Sequence, residues 1–151
     1  MAAIGHRRAA QISLSALLAL AFLQSAYGED PSAAARSQVA GVAEALTDND
    51  AAEAISHFDK SYPDYVKLRR DFEGLSAFQV ENQLNVTEEE DTDKGVFLTI
   101  TWDITLNGLT TNQTRRRTAE IHATVARVGS KWRIVAFGPL DIFNPEIHSG
   151  S

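Results

Sequence analysis

The chain has no cysteine in its 151 residues. That excludes disulfides, thiolate nucleophiles, thiolate metal sites and the lipid-bearing cysteine of a bacterial lipoprotein together. Positive charge is also short: 14 Lys and Arg against 20 Asp and Glu give a formal net charge of -6, so no general affinity for nucleic acid is expected. The length suits one domain with a real core and is too short for two of ordinary size. At 44% hydrophobic and 23% charged residues the composition is that of a folded globular chain, which sets disorder and fibrous architectures aside. No motif that fixes a reaction is present.

No apolar run is long enough to span a bilayer comfortably, which takes about 20 residues. The one apolar stretch, Ile12 to Leu23, follows His6-Arg7-Arg8 and precedes small residues at Ala26 and Gly28. Basic start, apolar core and small-residue site in that order predict a secretory signal cleaved after Gly28. The expected organisation is a signal peptide over 1–28, a linker over 29–31, one domain over 32–145 and a polar tail over 146–151. The expected location is the bacterial periplasm or the exterior, with no stable membrane span after cleavage. An exported chain without disulfides must be held by packing alone.

Beyond the signal, Asp30-Pro31-Ser32 is a helix start, with a capping side chain and a proline whose missing N–H costs nothing in the first turn. Ala35, Val39, Val42, Ala43 and Leu46 then form one apolar stripe. Ala51, Ala54, Ile55 and Phe58 repeat the pattern in a shorter helix. A third helix follows Ser61-Tyr62-Pro63-Asp64, with Tyr65, Leu68, Phe72 and Leu75 on its packed side and Gly74 where a C-terminal glycine is expected. Helices this short gain most of their stability from packing, so they need a sheet to lie on.

From Phe78 the period changes to two. Phe78, Val80, Leu84 and Val86 share a face, with Asn82 among them. The acidic run from Glu88 to Gly95 reads as a solvated turn. It lacks the ligands of a calcium loop, because Gly95 and Trp102 stand where oxygen donors are needed. Val96, Leu98, Ile100, Trp102, Ile104 and Leu106 alternate against Phe97, Thr99, Thr101, Asp103 and Thr105, the first set facing the core. Asn107-Gly108 marks a bend, and a third strand carries Ala119, Ile121, Ala123 and Val125 inward. After the Gly129-Ser130 turn, simple alternation places Trp132, Ile134 and Ala136 on one face and Val135 and Phe137 on the other. A strand apolar on both sides is central or part of an interface. Phe97, Thr99, Thr101, Val135 and Phe137 are therefore the expected surface of a homodimer.

Three helices, then a long-stranded antiparallel sheet ending in Lys131-Trp132-Arg133-Ile134-Val135 and Pro139-Leu140-Asp141-Ile142-Phe143, resemble the nuclear-transport-factor-2-like superfamily, including SnoaL-like and ketosteroid-isomerase-like domains. The resemblance covers roughly residues 32–143. It implies an α+β fold in which three N-terminal helices pack on a strongly curved antiparallel sheet of about four strands. The resulting cone would hold a small molecule in its apolar mouth, and its outer sheet face would support dimers. Two departures stand out. The strand hairpin that members often carry between the second and third helices is missing, since only Asp59-Lys60-Ser61-Tyr62 separates Phe58 from Pro63. The general-base carboxylate, tyrosine and acidic partner of isomerase-type members have no matching trio on the inward face, so no catalytic residue carries over.

A pocket needs a few polar groups converging within apolar walls. Asn82 interrupts an inward apolar stripe, and either the protein or a ligand must satisfy it. Tyr65 would aim its hydroxyl into the cone, Trp102 would line it or fill the core, and Arg117 would turn inward at the rim of the Arg115-Arg116-Arg117 cluster, as an anion-binding group or as a strand start. His57 with Asp59 is a candidate base and orienting partner. Asp103, on the threonine face, would be recruited for proton transfer only if a bulge reversed its register. His57, His122 and His148 are too scattered for a metal site, and no metal or cofactor is expected. The leading expectation is a non-enzymatic module that binds a small apolar molecule or a protein partner. The alternative is a small-molecule enzyme of the isomerase, dehydratase or hydrolase kind.

Overall fold

The computed structural model describes residues 30–146. The expected signal peptide, the remainder of the tail and His148 lie outside the described residues.

Pro31 opens helix α1 (Pro31–Thr47), which buries Ala35, Val39, Val42, Ala43 and Leu46 as the stripe predicts. Asn49, at a φ of 57°, reverses the chain. Asp50 then caps α2 (Ala51–Ser56) by accepting from the Glu53 amide at 3.0 Å. Helix α3 (Tyr65–Gly74) buries Leu68 and Phe72 and runs on into a 3-10 turn, Leu75–Ala77. Gly74 is not the left-handed cap the sequence predicts: its φ is -64°, within the helical range. It is needed for a close approach instead, since a Cβ there would sit 2.6 Å from Cγ of Pro145.

The four strands β1 (Phe78–Thr92), β2 (Gly95–Gly108), β3 (Thr114–Val128) and β4 (Lys131–Gly138) form one antiparallel sheet in chain order. Strand β2 follows its alternation throughout, and Val96, Leu98, Ile100, Trp102, Ile104 and Leu106 are each at most 1% exposed. The acidic run departs from expectation. Glu88 to Thr92 is strand, paired with Gly95 to Thr99, and the turn contracts to Asp93-Lys94. The tight hairpin brings the two partners into register, and exposed carboxylates are compatible with a strand whose outer side faces water. A bulge between Val86 and Glu88 and another between Thr124 and Val125 break the ladders, which bends the strands and increases their twist.

The second bulge corrects the expected faces of β4. Val125 pairs with Ile134 but Thr124 pairs with Ala136, leaving Val135 as the extra residue. Ile134 and Phe137 consequently both face inward, at 0% and 6% exposure, while Ala136 is exposed. Phe137 is a core residue and not part of an outer surface.

The space between helices and sheet is filled by aromatic rings. Trp102 meets Phe143 edge-on at 5.2 Å between centroids and Phe137 at 5.9 Å. Phe58 meets Phe137 edge-on at 5.2 Å, and Phe72 meets Phe143 at 5.7 Å. Such pairs add about 0.5–1.5 kcal/mol each beyond their buried area. No helix among the described residues is long and apolar enough to cross a membrane.

Candidate functional site

The inner wall of the sheet is where a cone would hold a ligand, and its side chains Asn82 and Arg117 are hydrogen-bonded to the protein itself, while the buried indole N–H of Trp132 has no hydrogen-bond partner among the described residues. Asn82, set on the inner face of β1 opposite Ile104, accepts from Nε1 of Trp102 at 2.9 Å. Its amide nitrogen donates to the Ala43 carbonyl and to Oγ1 of Thr47, both at 3.1 Å. The buried indole N–H would lack a partner without this side chain, while the Ala43 carbonyl at the helix end also accepts from the Thr47 hydroxyl at 2.9 Å. Asn82 thus joins β1, β2 and the end of α1, with Trp102 as its fully buried neighbour.

Tyr65 packs against the edge of the core. It lies half-buried in the first turn of α3, beside a surface depression of about 410 Å³ shared with Asp59 and Arg133. The hydroxyl that enters the core belongs to Tyr62, three residues earlier, and it donates to the Phe137 carbonyl at 2.6 Å. Burial, assisted by Asp64, pushes the Tyr62 phenol up to about 12, so it stays protonated and remains a donor. Tyr62 precedes the helix and packs on Phe58 at 5.7 Å, while Tyr65, in the first helical turn, is only partly buried against the core.

Arg117 faces inward, at 8% exposure. Its Nη1 donates to the carbonyls of Ile142 at 3.1 Å and Asn144 at 2.5 Å. Arg115 donates to the Pro145 carbonyl at 3.1 Å and lies over the Phe78 ring. The two arginines tack the C-terminal segment onto β3. Burial, with Arg115 nearby, lowers the Arg117 guanidinium from its ordinary value.

The proposed His57–Asp59 pair is not assembled. His57 places Nδ1 2.9 Å from Oε1 of Gln38 and Nε2 3.6 Å from Glu53. Asp59 instead accepts from the amide and hydroxyl of Ser61, which hold its carboxyl below the usual range. Asp103 lies on the outer face, accepting from the Thr118 hydroxyl and 3.9 Å from Arg116. No bulge falls near it, because its pairings to Gln83 and Thr118 are regular. The inward carboxylate required for proton transfer by Asp103 is therefore missing. Among the described residues no group of three or more His, Asp or Glu side chains is arranged to hold a metal ion.

Sequence reasoning missed Tyr62, and it missed Gly41. The His57 ring lies directly on Gly41 of α1, where a Cβ would fall 2.5 Å from Cε1 of the imidazole. A glycine inside an alanine-rich helix was the available signal, because it sacrifices helix propensity for close approach. Glu44, Asp48, Asp50 and Glu53 line the open groove of about 410 Å³ beside this contact.

No protein-family model and no curated protein matches the sequence. Solved structures match its fold. A conserved protein from Planctomyces limnophilus DSM 3776 superposes at a TM-score of 0.64 with 12% identity, over 70% of this chain and 91% of that one. A protein from Novosphingobium aromaticivorans DSM 12444, provisionally named a scytalone dehydratase, gives 0.60 with 12% identity, over 69% and 78%. A nuclear transport factor 2-like superfamily protein from Salmonella enterica serovar Typhimurium LT2 gives 0.53 with 12% identity, over 76% and 91%. Helices followed by a four-stranded antiparallel meander, together with these superpositions, give this chain a nuclear-transport-factor-2-like architecture, a fold that serves both ligand-binding proteins and enzymes.

Proposed function

We propose that this chain is an exported, homodimeric binding module that works through protein contact and not through catalysis. The observation that carries the proposal is the commitment of the inner wall. Asn82, Tyr62 and Arg117 each hydrogen-bond the protein's own side chains or carbonyls, and the Trp102, Phe137 and Phe143 rings occupy the centre. A ligand entering there would have to break those bonds and displace packed rings, so the small apolar ligand is the weaker form of the binding reading.

The outer sheet face supports a second copy as partner. Phe97 is 42% exposed on it, beside Thr99 and Thr101. Asp103 lies 3.9 Å from Arg116, and His122 places Nε2 3.2 Å from Glu120. Glu88 and Glu90 stand beside Phe97 and Thr99 on this face, so association of two copies there would strengthen as salt screens their carboxylates. Export rests on the sequence pattern over residues 1–28.

Native mass spectrometry of the full chain expressed with its leader tests all three parts together. The expected species is a dimer of chains cleaved after Gly28 without a retained small molecule. A monomer would overturn the interface, and a stoichiometric retained ligand would overturn the reading of the inner wall.

A further inference from the structure

We infer that His57 is a pH-sensitive clamp that holds α1, α2 and the edge of β4 together when neutral and releases them when protonated.

One residue touches all three elements. The imidazole lies flat on Gly41 of α1, and its Nδ1 meets Oε1 of Gln38 one turn away. With that oxygen as acceptor, Nδ1 carries the proton of the neutral ring and Nε2 is bare. The backbone of the same residue closes α2, and its carbonyl accepts from the Ile134 amide at 2.8 Å. The Asp59 amide completes the bridge by donating to the Ile134 carbonyl at 2.9 Å. Strand β4 is an edge strand, so this bridge covers backbone groups that would otherwise face water or another chain.

The charges around the ring give the clamp its direction. Glu53 on α2 is 3.6 Å from Nε2, and Glu44, Asp48 and Asp50 line the adjoining groove. Arg133, from β4, acts against a cation on the ring. A proton on Nε2 would therefore draw the imidazole off Gly41 toward Glu53 and the acidic groove, where a charged ring is hydrated and paired. Burial outweighs Glu53 and, with Arg133, lowers the His57 pKa from 6.5. A histidine that binds its proton less readily when folded stabilises the fold fully above its unfolded value. That contribution is lost as pH falls through the native one.

NMR titration of the native chain, combined with amide hydrogen exchange, tests the clamp. The His57 midpoint is expected below 6.5. Protection factors of the Ile134 and Asp59 amides should fall between about pH 7.5 and about pH 5, by about tenfold for each pH unit separating the native and unfolded midpoints. In Glu53→Gln the midpoint should move lower still, because the carboxylate 3.6 Å from Nε2, which raises it, is gone. A native midpoint at or above 6.5, or protection at Ile134 and Asp59 that is unchanged on acidification, overturns the inference. Neither measurement depends on whether the chain dimerises.

Discussion

Strands β2 and β4 are both apolar, yet only one of them obeys its own alternation. In β2 six inward residues from Val96 to Leu106 are buried without interruption, because β2 pairs with β3 without a register shift and the bulge on its other side places the extra residue, Thr87, in β1. In β4 a single extra residue, Val135, reverses the alternation between Ile134 and Phe137. A strand flanked on both sides has its register set by two ladders, whereas β4 is set by β3 and by one bridge through Phe58. Edge position lets a bulge bring Phe137 to Trp102 and Phe58 at little cost to the sheet.

Truncating the two aromatic rings is the strongest way to break that comparison. Phe137→Ala should cost about 3–5 kcal/mol in denaturant unfolding, similar to Trp102→Ala, because each leaves a cavity in the core. If β4 alternated regularly, Phe137 would be on the surface and its truncation would change stability by about 0.5 kcal/mol or less. Asn82→Leu sharpens the β2 side, since it strands the Trp102 indole N–H. The expected loss, that of one unsatisfied buried donor, is about 1–3 kcal/mol, and a stabilised variant would mean that the asparagine is not part of the packed wall. Gly41→Ala tests what steadies the β4 edge. Helix propensity alone would raise stability by about 1 kcal/mol, but the added methyl meets the His57 ring at 2.5 Å. A net loss in melting temperature is expected, with weaker protection of the Ile134 amide. Phe97→Glu, on the outward side of β2, should leave thermal stability of the separated chain nearly unchanged while sedimentation shifts from dimer to monomer.

Much of the fold was legible in the residues. The helix stripes, the inward rows of β2 and β3 and the Gly129-Ser130 turn follow from period and turn chemistry, and these fix an α+β meander. The site was legible only in part. Asn82 and Arg117 could be identified as inward polar residues, but their partners are distant in sequence: Ala43 and Thr47 for one, Ile142 and Asn144 for the other. Whether such a group awaits a ligand or is already satisfied is a property of what folds over it. Tyr62 and Tyr65 illustrate the same limit within four residues, since only the fold shows that it is the Tyr62 hydroxyl that bonds the Phe137 carbonyl.

The sequence by itself determined the periodicities and the absence of thiol chemistry, because each is carried by residue type and local spacing. Tertiary structure decided the inward turn of Phe137, the close approaches at Gly41 and Gly74, and the saturation of Asn82. All of these depend on register between strands or on contact between elements far apart in the chain. Those are free energies shared between segments, and no single segment encodes them.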